Sequence, residues 1–300
     1  DFFGGEPLMA MDTVKATVEY ARSIEQEHGK CFRFTITTNG VLLNDENIEY
    51  INREMSNAVL SLDGRKEVND DLRPTVNGKG SYDVIVPKFE KLIAGRGTKD
   101  YYLRGTFTRF HKDFAEDVKA LAAIGRNVSV EPVVGKREDP YALQEEDLPE
   151  LEAEYERLAE YLKDHPETNF FHFNVDLAQG PCVIKRLRGC GAGCEYVAIT
   201  PEGDIYPCHQ FVGNEDYRLG SVHDGTFDKE LSGRFAGLNI YTREECRDCW
   251  ARFYCSGGCS ASNLLVNGDI KKPHRVGCEL ERKRLECAIA LRAIAAGMAD

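Results

Sequence analysis

Cysteine is distributed very unevenly along this 300-residue chain: of eleven, only Cys31 precedes residue 180 and ten lie from Cys182 onward. An odd count cannot pair wholly within the chain, and the first residues lack the basic-then-apolar pattern of a secretory signal. Metal ligation is therefore the first expectation for these thiols. The shift in composition predicts two domains, residues 1–180 and residues 181–300.

The spacing sharpens this. Cys246-x2-Cys249-x5-Cys255-x3-Cys259 is followed by Cys278 and preceded by Cys190, Cys194 and Gly203-x4-Cys208, which makes eight spaced thiols. Four thiolates complete one 4Fe-4S cluster, so eight suffice for two, and short gaps let neighbouring sulfurs converge. Two four-cysteine zinc sites would use the same ligands at the same kind of spacing. Cys31, beside a strand, and Cys287, within an amphipathic helix, read as structural thiols, with burial the usual fate of such residues. Cys182 stands near enough to Cys190 to substitute for it.

Before the cysteines, short β-rich runs alternate with amphipathic helices, the pattern of parallel strands joined by crossovers. Strands are predicted at Phe32–Thr38, Ala58–Leu62, Tyr101–Thr108 and Val128–Val134. Asp12 is placed to cap a helix ending at Gly29, and further helices are predicted at Asp45–Met55, Ser81–Ala94 and Asp113–Ile124, with Pro87 kinking or delimiting the third. From Asp147 a helix carries the stripe Leu148, Leu151, Tyr155, Leu158 and Leu162, and its carboxylates read as a solvated face or, less simply, a docking site.

A strand buried on both sides should be apolar at both parities, and these are not. Thr35, Thr37 and Asn39 share a parity, as do Ser61 with Asp63, Arg104 with Thr106 and Thr108, and Ser129 with Glu131. Such faces would line one polar lumen of a barrel, or pair among themselves and at exposed strand ends. A formal charge of -12 would repel phosphate backbones and anionic lipid, so nucleic acid and membrane are not expected partners. With no apolar run of spanning length, the expected location is the cytoplasm.

In order, Gly4-Gly5-Glu6-Pro7, Thr38-Asn39-Gly40, Leu60-Ser61-Leu62-Asp63-Gly64 and the cysteine pattern resemble radical S-adenosylmethionine enzymes carrying a SPASM domain, over essentially all of the chain. The segments CGAGCEYVAITPEGDIYPCHQF, from Cys190 to Phe211, and CRDCWARFYCSGGC, from Cys246 to Cys259, look most like the SCIFF (six cysteines in forty-five residues) maturases, which install thioethers in a ribosomal peptide. The resemblance implies an α/β fold: a partial (β/α)6 radical SAM barrel lacking its first strand, then a small cysteine-rich SPASM domain with a β-hairpin and helices. The hallmark C-x3-C-x2-C, which binds the cluster that cleaves S-adenosylmethionine, should precede Gly4 and is absent, and Val197 stands where it would complete Cys190-x3-Cys194. With Asp1-Phe2-Phe3 resembling the end of a strand, this suggests a chain cut from a longer protein, inactive as supplied, whose remainder holds that third 4Fe-4S cluster.

By the same resemblance, S-adenosyl-L-methionine would lie at the C-terminal ends of the strands, with Gly4, Gly5, Glu6 and Pro7 near its amino group, and Thr38 and Asn39 nearby. Ser61 and Asp63 would meet its ribose and methionine parts, and Arg104 would pair with its carboxylate or form an internal salt bridge. Arg73 closes Asn69-Asp70-Asp71-Leu72-Arg73, in the place of a His-Asp-x-x-Arg segment, with Asn69 where histidine is usual. Cys190, Cys194, Cys208 and Cys259 would hold a nearer auxiliary cluster, and Cys246, Cys249, Cys255 and Cys278 an outer one. His209, an imidazole with an ordinary pKa of about 6.5, is the candidate acid-base group. The implied activity is hydrogen abstraction by a 5'-deoxyadenosyl radical and closure of a Cys thioether in a cysteine-rich precursor peptide, with ferredoxin or flavodoxin as electron donor. Sulfatase-type oxidation, a carbon-carbon crosslink, or a non-enzymatic zinc module are the alternatives.

Overall fold

The computed structural model describes residues 1–175 and 187–298, so Cys182 lies outside the described residues. The chain divides into two compact units, Asp1–Pro132 with Glu160–His172, and Val133–Ala159 with Phe173–Asp300.

In the first unit, helices α1 (Met11–His28), α2 (Asp45–Glu54), α3 (Lys66–Leu72), α4 (Tyr82–Ala94) and α5 (Phe114–Ile124) intervene between strands β1 (Thr35–Thr38), β2 (Asn57–Ser61), β3 (Asp100–Phe107), β4 (Asn127–Pro132) and β5 (Asn169–Phe170). α1 buries Val14, Val18 and Ala21 and stops at Gly29, whose φ of 57° is the left-handed turn a helix end requires. Its N-cap is Ala10, not Asp12, which sits inside the first turn where a carboxylate favours the helix dipole. Asn44 caps α2 by accepting a bond from the Asn47 amide. α4 runs through Pro87 rather than ending there.

The five strands are all parallel and pair in sequential order, β1-β2-β3-β4-β5. A sheet wound in one direction without reversal is the open form of a (β/α) barrel, not a doubly wound sheet. Phe2 adds a parallel bridge to Ile36 on the outer edge of β1, donating its amide to the Thr35 carbonyl and accepting from the Thr37 amide. The register sets Ser61, Arg104 and Ser129 abreast, and Thr106 beside Glu131. Along β2 and β3 the opposite parity, Ala58, Leu60, Tyr101, Leu103 and Phe107, is buried, whereas Ser61, Arg104 and Thr106 are only half-buried. The polar parity thus forms one partly accessible face, as the alternation predicts.

In the second unit, antiparallel strands β6 (Ala198–Ile199), β7 (Asp204–Tyr206), β8 (Gly220–Ser221) and β9 (Thr226–Phe227) form a small sheet. The β6–β7 hairpin turns at Gly203, with φ of 85° and its amide bonded to the Thr200 carbonyl. Tyr206, Cys208, Phe211, Leu219, Leu231, Phe235, Leu238, Ala261 and Ile270 make its core. Helices Lys229–Ala236, Ser260–Asn267 and Arg275–Ala295 complete the unit. Helix α6 (Leu148–Asp164) fully buries Leu151, Tyr155 and Leu158. Its acidic face is not simply solvated: Glu154 is buried beside Arg157, and Glu156 pairs with Lys283. Among the described residues no helix is long and apolar enough to cross a membrane.

Candidate active site and thiol clusters

In the first unit, the candidate ligand-binding residues gather at the C-terminal ends of the strands. Gly4 and Gly5 both have positive φ, 92° and 52°, a backbone that side chains resist, and they turn the chain into the loop after Phe2. Glu6 then fastens the loop to the tip of β1. One carboxylate oxygen accepts from the Leu8 amide at 3.0 Å and the Thr38 hydroxyl at 2.8 Å, and the other accepts from the Asn39 amide at 2.8 Å. The Thr38 hydroxyl in turn accepts from the Gly40 amide at 3.0 Å. Pro7 is buried at the start of the short helix Pro7–Ala10.

Asp63, only 3% exposed, is held in a fork by Arg73, Nε to Oδ2 at 2.5 Å and a terminal nitrogen to Oδ1 at 3.1 Å. It also accepts the Thr106 amide at 2.9 Å. Gly105 permits this approach, since a Cβ there would lie 2.9 Å from the Leu62 carbonyl oxygen. Arg73 is the C-cap of α3, a short helix that sequence periodicity does not announce. Fully buried Asn69 steadies it by donating to Ser81 Oγ at 3.1 Å, and Ser81 donates to the Arg73 carbonyl at 2.7 Å. Arg104 pairs with Glu131 at 2.7 Å, and the Glu131 neighbourhood includes Ser129 and His172. Of its two readings, the internal salt bridge is therefore present. Burial works against its charge, but Glu131 more than compensates, so the Arg104 pKa lies above its usual value.

In the second unit, seven of the described cysteines fall into two electrostatically coupled groups, Cys190, Cys208 and Cys259 in one and Cys246, Cys249, Cys255 and Cys278 in the other. Burial pushes the Cys208 thiol up to about 11, and Cys259 and Cys190 push it the same way. Burial likewise raises Cys278 to about 12, reinforced by Cys255, Cys246 and Cys249. Cys194 donates to the Gly191 carbonyl at 3.3 Å, in a loop where Gly191 and Gly193 both have positive φ. The Gly193 amide donates to the Pro207 carbonyl at 2.9 Å, which fastens this loop beside Cys208. After Cys255, Ser256, Gly257 and Gly258 are all left-handed, with φ of 60°, 90° and 72°. The amides of Phe211 and Gly258 donate to the carbonyls of Cys208 and Cys255, at 3.0 Å and 3.4 Å, and so close the turns that follow these two thiols. His209 is exposed on the turn after Cys208, its Nδ1 3.1 Å from the Tyr196 hydroxyl. Cys287 is buried, whereas Cys31 is exposed, contrary to its expected burial.

The SPASM family, an iron-sulfur cluster-binding domain, matches residues 190–250. Mycofactocin maturase MftC of Mycobacterium ulcerans (strain Agy99) is 30% identical over 287 residues, covering 90% of this chain and 72% of the relative. This chain belongs to the radical S-adenosylmethionine maturases with a SPASM domain. A cysteine-type anaerobic sulfatase-maturating enzyme of Clostridium novyi (strain NT) is 25% identical, covering 86% of this chain and 72% of that protein. Among solved structures, anSMEcpe with bound AdoMet superposes with a TM-score of 0.78 at 18% identity, covering 99% of this chain and 84% of that one. Streptococcus suis SuiB bound to precursor peptide SuiA gives 0.63 at 19%, covering 91% and 64%. At these identities the likeness is one of fold.

In a maturase of this kind the donor set suits iron-sulfur clusters. Among the described residues no three His, Cys, Asp or Glu side chains gather closely enough for one metal ion. Thiolate sulfur is the ligand type of 4Fe-4S clusters, four to a cluster, and the eight spaced thiols supply that number twice. Sequence reading finds the thiols by spacing; it misses the Glu6 clasp, which exists only once distant segments meet.

Proposed function

We propose that this maturase modifies a ribosomally synthesised, cysteine-rich peptide, closing a bond from a peptide cysteine sulfur to carbon. The observation that carries the reading is the pair of interacting thiol groups, Cys190, Cys208 and Cys259 with Cys194 beside them, and Cys246, Cys249, Cys255 and Cys278. On this reading each group holds one auxiliary 4Fe-4S cluster. When bound, S-adenosyl-L-methionine would supply the 5'-deoxyadenosyl radical on reduction at the radical-initiating cluster, and an auxiliary cluster would take up the electron released as the thioether closes. The sequence has no C-x3-C-x2-C run, so none of these thiols is assigned to the radical-initiating cluster.

The chain's own residues bind and orient. Glu6 shapes the loop of Gly4 and Gly5 into a rim of backbone groups at the tip of β1, suited to the ligand's amino group. Asp63, Thr38, Asn39 and Ser61 lie on adjacent strand ends to receive its polar parts, with Arg73 fixing the Asp63 carboxylate. Because Glu131 already neutralises Arg104, the pair would have to open for Arg104 to bind a ligand carboxylate. Tyr196 holds the His209 ring for proton transfer.

Anaerobic purification should give brown protein with about eight irons from this chain's two sites. Incubation of the full-length enzyme with a cysteine-rich peptide and S-adenosylmethionine should remove two hydrogens per crosslink and one alkylatable thiol. Side-chain oxidation with every remaining cysteine still alkylatable would instead favour a sulfatase-type reaction, the second reading supported by the Clostridium novyi relative. Colourless protein containing zinc and no iron would end both.

A further inference from the structure

Arg243 is 3% exposed, and among the described residues it has no carboxylate within salt-bridge reach. Its hydrogen bonds go to neutral oxygens: the Gly257 carbonyl at 2.6 Å, Ser260 Oγ at 3.0 Å and the Ile270 carbonyl at 3.4 Å. Its Nε–H is buried with no hydrogen-bond partner among the described residues. A buried, unpaired cation is costly, and such groups are found paired or not at all. The groups that feel this charge are Cys246, Cys255, Cys259 and Cys190, two thiols from each set. Two other guanidinium groups lie near the thiols: Arg282 reaches Cys249 at 4.0 Å but is forked onto Glu279, and Arg252, only half-buried, donates to the Cys249 carbonyl at 3.0 Å. Nor is the placement of Arg243 incidental to the loop. A Cβ on Gly257 would lie 2.2 Å from its terminal nitrogen, so glycine is what admits the guanidinium to the turn after Cys255.

We propose that Arg243 is the shared counter-cation of the two thiol sets, a charge-setting residue that makes both auxiliary clusters easier to reduce. The inference rests on the two-cluster reading above. Thiolate-ligated clusters are anionic, and a fixed positive charge in a dry site favours the state with one more electron. The guanidinium's unused Nε–H is a further donor for that negative charge.

The test is an EPR-monitored redox titration of the cluster-loaded protein as wild type, Arg243→Gln and Arg243→Lys, with iron counted in each. Arg243→Gln should lower both auxiliary midpoint potentials by at least a tenfold change in the one-electron reduction equilibrium, about 59 mV. Arg243→Lys, which keeps the charge and loses the fork, should shift by less than half as much. Should Arg243→Gln shed iron while Arg243→Lys keeps it, the charge is again the determinant and the proposal stands. Unchanged potentials, a shift confined to one cluster, equal shifts in both variants, or equal iron loss in both would overturn it. Wild-type protein without iron would instead overturn the cluster reading itself, and is told apart by the iron count alone.

Discussion

Asp63 and Arg73 form an ion pair whose two ends are unequally buried, and their substitutions should differ accordingly. The Asp63 side chain is 3% exposed and that of Arg73 is 34% exposed. Arg73→Met would strand a buried carboxylate with only the Thr106 amide for company, at a cost of about 3 kcal/mol. Asp63→Asn leaves a guanidinium that can turn to water and an amide that still accepts from Thr106, so it should cost about 1 kcal/mol. Urea unfolding of both variants checks this, and equal destabilisation would contradict the asymmetry. At this scale the sequence reveals candidate residues without their partners. Glu6 is legible as part of Gly4-Gly5-Glu6-Pro7, but that it would clasp Thr38 and Asn39, some thirty residues on, is set by where β1 ends.

Strands β1 to β4 were readable within a few residues because a half-polar strand alternates with period two, and the observed register preserves that alternation across β2, β3 and β4, whereas two-residue β5 is too short to show it. Short helix α3 was not, since seven residues show little periodicity; what holds it is burial of Val68 and Asn69. Helix α4 tolerates Pro87 because Ile85, Phe89 and Leu92 are fully buried and repay the backbone bond that proline cannot donate. Pro87 itself is exposed, so Pro87→Ala removes no packing and restores that bond. After allowing for the freer unfolded chain, it should raise stability by about 2 kcal/mol, read as a higher urea midpoint with unchanged slope.

For the whole molecule, the two thiol sets predict a simple stoichiometry. Cys208→Ala and Cys246→Ala should each reduce iron from about eight to about four per chain, and the double variant should retain almost none. A single variant that loses all iron would mean one interdependent site rather than two. The charge of -12 is likewise a whole-chain property, and part of it is used internally, since Glu145 and Glu156 pair with Arg275 and Lys283 of the long C-terminal helix.

Cysteine spacing and strand parity were determined by the sequence itself, because ligand gaps and alternation are local properties carried in the order of residues. From them came the (β/α) architecture, the polar sheet face and the existence of a thiol-rich domain. Tertiary structure alone decided that Cys31 is exposed, that Arg104 meets Glu131, and that Arg243 is buried with no carboxylate in reach among the described residues. Each of those depends on segments brought together across tens of residues, and on how much water remains around a charge once they meet.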